Sequence, residues 1–173
     1  RGDSTLIFLF LLRGLFGLIL DLSNILPKLF KFIFERDFFS KFKETLINKA
    51  INSSTTEKRK EVLYEKLPII LKRLVKPAAM ERLQWHKNKG HRILIVSASP
   101  KPIILSLSSY FNVELIATEC NDILKINSKE KFVLKTPNCK GVEKLIRLRD
   151  HLGYMPESKD LEVYGDSSGD KEL

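Results

Sequence analysis

The chain has 173 residues and a mass of 20.0 kDa, which fits one domain or a core with a small inserted cap. With 43% hydrophobic and 29% charged residues it can bury a real core, which excludes a disordered tail. The net charge of +9 divides into +7 over residues 1–80 and +2 over 81–173; such a field favours anionic partners in general and specifies none of them.

The first forty residues are the apolar part. A membrane span needs about 18 uninterrupted apolar residues. The longest clean run here is Leu6–Leu12, after which Arg13 and Gly14 intervene, and Asp21 ends the next run. Two short core-facing helices are the expectation, with an interfacial or membrane-dipping segment as the alternative. Asp3 or Ser4 is placed to cap the first. A secretory signal would need basic residues before the apolar stretch and a small-residue cleavage site after it, and neither stands here.

From Phe38 to Lys89 the pattern is helical. Phe42, Leu46, Ile47 and Ala50 sit at three- and four-residue spacing, and residues 52–56 form a polar break that ends one helix and caps the next. Val62, Leu63, Leu67, Ile70, Leu71 and Leu74 continue the helical period, interrupted at Pro68. Pro77 suits the first turn of a further helix, which Gly90 ends.

After Gly90 the character changes. Ile93–Val96 is a β-branched apolar run leading into small polar residues, the pattern of a buried parallel strand and a turn. A helix is predicted over Ile103–Phe111, a strand over Val113–Thr118 and a hairpin of short strands over Ile123–Leu134, turning at Asn127-Ser128. Next come a helix over Lys144–Leu152 and a strand over Leu161–Tyr164. Strand, helix, strand, helix, strand predicts a three-layer α/β fold with a parallel sheet, preceded by a helical section.

In an open parallel sheet, ligands bind at the carboxyl edge of the strands. Ser97-Ala98-Ser99 and residues 166–170 (DSSGD) come directly after two predicted strands, and residues 138–144 (NCKGVEK) precede a helix between them. A hydroxyl with exposed backbone N–H groups, a lysine at a helix start and two carboxylates four apart suit a phosphate and its divalent cation. Each piece alone is an ordinary turn, cap or solvated residue; their order and strand-end placement carry the reading.

Those three segments resemble the motifs of the haloacid dehalogenase superfamily of phosphohydrolases, in subfamily IB, the branch similar to phosphoserine phosphatase. WHKNKGHRILIVSAS resembles the second motif, with Ser97 in the place of the phosphate-binding hydroxyl and the amides of Ala98 and Ser99 beside it. NCKGVEKLIRL resembles the third, whose lysine stabilises the phosphoryl group; Lys144 matches one spacing of that motif and Lys140 another. YGDSSGD resembles the fourth, which makes Asp166 the Mg2+ ligand and Asp170 its support or a second metal-site carboxylate. The resemblance implies a Rossmann-like core over 78–173, an α-helical cap of the C1 type over 1–77, and a Mg2+-dependent phosphomonoesterase acting on a small phosphorylated substrate.

One motif of the family is missing. Its first strand ends in DxDGT, whose first Asp is the nucleophile and whose second is the general acid/base. No two of the Asp residues here are spaced i, i+2. The opening RGDSTLIFLFLL resembles the segment that comes after DxDGT in this family, so the nucleophile strand is expected just before Arg1, and a further strand and helix beyond Leu173. Without that carboxylate, transfer through an aspartyl-phosphate cannot run in these 173 residues. The alternative is an inactive member of the fold that binds a phosphorylated ligand or a partner.

The remaining candidates are read as structural. Two cysteines, Cys120 and Cys139, exclude a disulfide scaffold and a four-thiolate zinc site and suit a reducing, cytoplasmic setting; neither is read as a nucleophile. His86 and His91 are five apart, which is not the spacing of a helical metal pair, and are expected to position or cap. Trp85 is expected in the core or at the cap interface, and His151 on the surface without an acidic partner. The basic half lacks the aromatic interleaving of a nucleic-acid surface.

Overall fold

In the computed structural model, residues 3–29, 38–127, 130–165 and 168–173 are described. Helix α1 spans Ser4–Leu29 and is broken by Gly14, whose φ of 66° and ψ of 177° no helix contains. The expected pair of helices is thus present as two halves of one kinked element. Asp3 is its cap, with Oδ1 accepting from the N–H groups of Thr5 at 2.8 Å and Leu6 at 3.3 Å.

The two halves differ in what they bury. Phe8, Leu9 and Leu12 before the break enter the core, whereas Leu15, Phe16, Ile19 and Leu20 after it are exposed, Phe16 to 83%. The second half turns a stripe of Leu18, Leu22 and Ile25 to the core and leaves the rest of its apolar surface exposed. Asp21 ends the second apolar run but not the helix. It lies 2% exposed within α1, where Arg13 reaches across the Gly14 break to hold both its oxygens at 2.7 and 3.1 Å. Over Ser4–Pro27 the helix is long and apolar enough to cross a membrane by length and composition alone, a test that the core helix of a soluble protein also passes.

Helix α2 (Phe38–Asn52) packs against α1 through Leu46, Ile47, Ala50 and Ile51. Thr55 caps α3 (Thr56–Glu61), its hydroxyl accepting from the Lys58 N–H. Pro68 does not stop the rod. It falls in the first turn of α4 (Leu67–Arg73), where a missing N–H is tolerated, and the chain before it widens into a π turn over Val62–Lys66. Helix α5 starts at Pro77 and runs to Asn88; Gly90, at φ 69°, closes it as the His91 N–H reaches the His86 carbonyl at 3.1 Å. No residue of α5 is buried, so Trp85 stands 41% exposed, packed edge-on against His86 and His91 rather than in the core.

Strands β1 (Leu94–Pro100) and β2 (Glu114–Thr118) pair in parallel, joined by α6 (Lys101–Phe111). Alternate residues serve opposite faces. Ile95, Leu115 and Ala117 face α6 and the core of α1–α4, and Leu94, Val96 and Ile116 face α7 (Val142–Leu152) with Leu148 and Cys139. One hydrophobic cluster joins Phe8, Ile47 and Leu67 to Ile103, Ala117 and Ile123, so the helical section and the sheet share a core.

Helices thus cover both faces of a sheet that is two strands wide among the described residues. The wider three-layer sheet is not formed by them. Residues 161–165 are irregular although a strand is predicted over Leu161–Tyr164, and no strand among the described residues pairs with them. The predicted hairpin is a loop closed by a single antiparallel bridge, Cys120 to Leu134, and anchored to α2 by Asn48, which bonds the Phe132 backbone on both sides. Its turn at Asn127-Ser128 includes Ser128, outside the described residues.

His151 has an acidic partner, contrary to expectation: Glu114, at 2.6 Å across the start of β2. Arg92 also holds that carboxylate, and Arg92 together with His151 lowers its pKa from 4.5 to about 2, Arg92 having the larger effect. A carboxylate with a depressed folded-state pKa stabilises the fold above its unfolded value and ceases to do so as pH falls through the folded one. Glu114 is therefore expected to stabilise the fold above about pH 4.5 and to lose that effect towards pH 2. A carboxyl NMR titration should show the low midpoint, and Arg92→Ala should move it up; an unmoved midpoint would refute the pairing.

Candidate functional site at the carboxyl edge of β1

The edge is built where β1 leaves its partner. Ser97 still pairs with Ala117, the next paired residue is Pro100 with Thr118, and Ala98-Ser99 bulge out between them. The Ser97 hydroxyl accepts from the Ser99 N–H at 3.2 Å, which rounds the bulge into a tight turn. The side chain of Ser99 turns the other way. It is buried against the start of α1, 2.5 Å from the Ser4 hydroxyl and 3.4 Å from that of Thr5. Ser99 thereby fastens α1 to the edge with its hydroxyl and keeps only its backbone at the bulge.

The loop before α7 meets this turn from the side. The Thr118 hydroxyl donates to the Ala98 carbonyl at 2.9 Å and accepts from the Cys139 N–H at 3.1 Å, with Asn138 Oδ1 at 3.3 Å. Cys139 itself is fully buried, and burial pushes its thiol pKa up, as expected of a packing residue. Gly141, at φ 59° and ψ −134°, turns the chain into α7 in a conformation that favours glycine.

That turn brings Lys144 inward. It is 6% exposed, and its ammonium donates to the Val96 carbonyl at 3.1 Å and to Asp170 Oδ1. Lys144 thus joins the end of β1 to the last loop. Lys140 is exposed instead and lies along Gly169, where an added Cβ would come 2.7 Å from Lys140 Cγ. The Gly141 N–H donates to the Gly169 carbonyl at 3.0 Å, so the two loops are pinned together. The last loop folds tightly on itself: a Cβ at Gly165 would lie 2.5 Å from that of Asp170.

Of the seven residues singled out in the sequence, Ser97, Ala98, Ser99, Lys144 and Asp170 converge here and Lys140 flanks them. Asp166 lies outside the described residues. Asp170 is engaged with Lys144, so its carboxylate is a lysine partner here and not a free cation ligand. Among the described residues no group of three or more His, Cys, Asp or Glu could hold a metal ion, so they do not by themselves make a Mg2+ site. The histidines lie elsewhere: His86 Nδ1 faces His91 Nδ1 at 2.8 Å, and His86 Nε2 meets the Tyr164 hydroxyl at 3.0 Å, which positions the segment entering the last loop.

Sequence reasoning missed Lys43. Its ammonium arrives from α2 and donates to the Ala98 carbonyl and to Asn138 Oδ1, each at 2.8 Å. Nothing in the spacing of Lys41, Lys43 and Lys49 sets it apart from a solvated face. A cavity of about 480 Å³ beside His91, Arg92 and Glu114 opens at the opposite edge of the sheet, where parallel strands do not present their ligand-binding ends.

Comparison with known proteins agrees with this architecture. The chain is 27% identical over 150 residues to Protein CicA of Caulobacter vibrioides, in both strain NA1000 / CB15N and strain ATCC 19089 / CIP 103742 / CB 15. The match covers 85% of this chain and 64% of those relatives, so the chain spans a little under two thirds of the length of the curated proteins it matches. No solved structure matches it. The family model of haloacid dehalogenase-like hydrolases matches residues 1–173 in full, and the chain belongs to that family of Rossmann-like α/β hydrolases.

Proposed function

We propose that these residues are the phosphate-binding part of a Mg2+-dependent phosphomonoester hydrolase, similar to phosphoserine phosphatase and cytoplasmic, with residues 1–77 as its cap and 78–173 as its core. The observation that carries the reading is Lys144, a buried cation placed between the carboxyl end of β1 and the last loop. A buried ammonium at a strand end, beside a hydroxyl and a backbone bulge, suits the charge that develops on a transferring phosphoryl group. Ser97 and the bulge amides bind phosphoryl oxygens in this reading, and Lys144 offsets their charge. Asp170 orients Lys144. Asp166 is the residue proposed to hold Mg2+, and no step is assigned to the metal here.

The exposed apolar residues Leu15, Phe16, Ile19 and Leu20 of α1 make an amphiphilic phosphate a second substrate class beside phosphoserine. Because the 173 residues contain no Asp pair at i, i+2, this chain alone is proposed to bind phosphate without turning over esters. The test is a turnover assay with Mg2+ on the parent protein and on residues 1–173, using phosphoserine and a long-chain alkyl phosphate. Turnover by the parent, abolished by EDTA, and none by residues 1–173 is expected. Mg2+-dependent turnover by residues 1–173 would overturn the assignment of the missing nucleophile, and activity on phosphoserine alone would remove the amphiphilic substrate.

A further inference from the structure

Lys43 is a cation that none of the three motifs supplies. Its side chain leaves α2, runs inward instead of to water, and ends on two neutral oxygens, the Ala98 carbonyl and Asn138 Oδ1. Among the described residues no carboxylate forms an ion pair with it. Burial pushes its pKa down; the more distant Asp3 pulls it up, and the charge of Lys140 adds to the lowering. Surface lysines ordinarily keep their ammonium in water. Withdrawing one without a counter-charge is unfavourable.

A tie between α2 and the bulge does not need a charge. A neutral amide donor makes that kind of tie without placing a cation beside Lys140. What a lysine adds is charge, at the one edge where the backbone bulge and two other lysines converge. Two of its three donors are used and the third is left for a ligand. An anion there supplies the counter-charge that the fold does not.

We propose that Lys43 is an anion-binding residue of this site, delivered by the cap region to hold a peripheral oxygen of the substrate's phosphate group. The inference rests on the phosphate-site reading above and adds to it a residue of α2. It also makes binding sensitive to how α2 sits on the core, since the ammonium reaches the edge only while α2 packs against α1 and the 130–134 segment.

The experiment is a calorimetric titration of inorganic phosphate into the 173-residue chain and its Lys43→Gln and Lys43→Arg variants at low ionic strength. Losing one charge-assisted hydrogen bond is expected to weaken phosphate binding about tenfold or more in Lys43→Gln, while Lys43→Arg stays within about threefold of wild type. In the unmodified chain the side-chain 13Cε resonance of Lys43 should move with added phosphate and not with equal chloride, a readout that needs no variant to fold. Undiminished binding by Lys43→Gln, or a stationary Lys43 resonance while the chain binds phosphate, would leave Lys43 a mere tie and overturn the inference alone. Failure of the unmodified chain to bind phosphate would overturn the phosphate-site reading together with it.

Discussion

Replacing Lys144 by methionine is expected to lower the stability of the chain by about 3 kcal/mol or more in urea unfolding, because Asp170 loses the cation that compensates it. The asymmetry of buried ion pairs decides the size of the effect. Forming such a pair contributes little net, since two ions lose their water, but removing one partner leaves the other buried and uncompensated. Asp170 has 16% of its side chain exposed, so water can relieve only part of the deficit. Lys144→Met combined with Asp170→Asn should recover a large share of the loss, because the half-buried carboxylate that Lys144 paired is gone and the shape is kept.

The same pair separates two candidates that look alike in the sequence. Lys140 and Lys144 both fit a lysine motif, yet only Lys144 is buried and joined to the end of β1. On the phosphate-site reading proposed above, Lys144→Ala in the full-length protein is expected to reduce hydrolase turnover by about a hundredfold or more, as removal of an electrostatic stabiliser does. Lys140→Ala should leave it within about threefold. Equal losses from both variants, or wild-type stability in Lys144→Met, would contradict this assignment.

The second large effect is expected at Arg13. Arg13→Ala leaves the carboxylate of Asp21, 2% exposed, without its two hydrogen bonds, and should lower stability by about 3 kcal/mol. Asp21→Asn should be milder. Arg13 is 20% exposed and its long side chain can turn to water, whereas Asp21 cannot leave the interior. Chemical unfolding of the two single variants gives the comparison directly. If Asp21→Asn proves the more damaging, the guanidinium and not the carboxylate is the group that the fold cannot expose.

The pair also bears on what α1 is. Taken by length and hydropathy, Ser4–Pro27 passes as a membrane span. The bond across Gly14 ties its two halves together and its first half to the core through Phe8, Leu9 and Leu12. Loss of the Arg13 contact should therefore loosen the join at Gly14, while Leu18, Leu22 and Ile25 still hold the second half to the core.

Much of the local structure was legible from residue order. Pro77 and Gly90 delimit α5, Thr55 caps α3, and the β-branched run before Ser97 forms β1, because proline, glycine, hydroxyl and branched side chains constrain the backbone within a few residues of themselves. The strand-end position of Ser97 and the helix-start position of Lys144 came from the same local signals joined to a family resemblance. Other features depend on what lies across the fold. Leu161–Tyr164 has the composition of a strand, but a strand exists only through a neighbour's hydrogen bonds, and no described strand pairs with it. The exposure of Leu15, Phe16, Ile19 and Leu20 was hidden because hydrophobicity says what would be favourable to bury and not whether a partner surface is within reach.

Residue order alone was enough for most of the helices and for the strand–helix–strand order after Gly90, since these rest on backbone preferences within one element or one turn; the choice of Lys144 over Lys140 needed the packing that buries it beside the end of β1. Which charges meet was settled by packing: Arg13 with Asp21, His151 with Glu114, Lys144 with Asp170, and Lys43 with the bulge at Ala98. The difference lies in the reach of the forces. Backbone preferences act over a few residues, whereas a buried charge selects its partner by distance in space, and that distance exists only after the chain has packed.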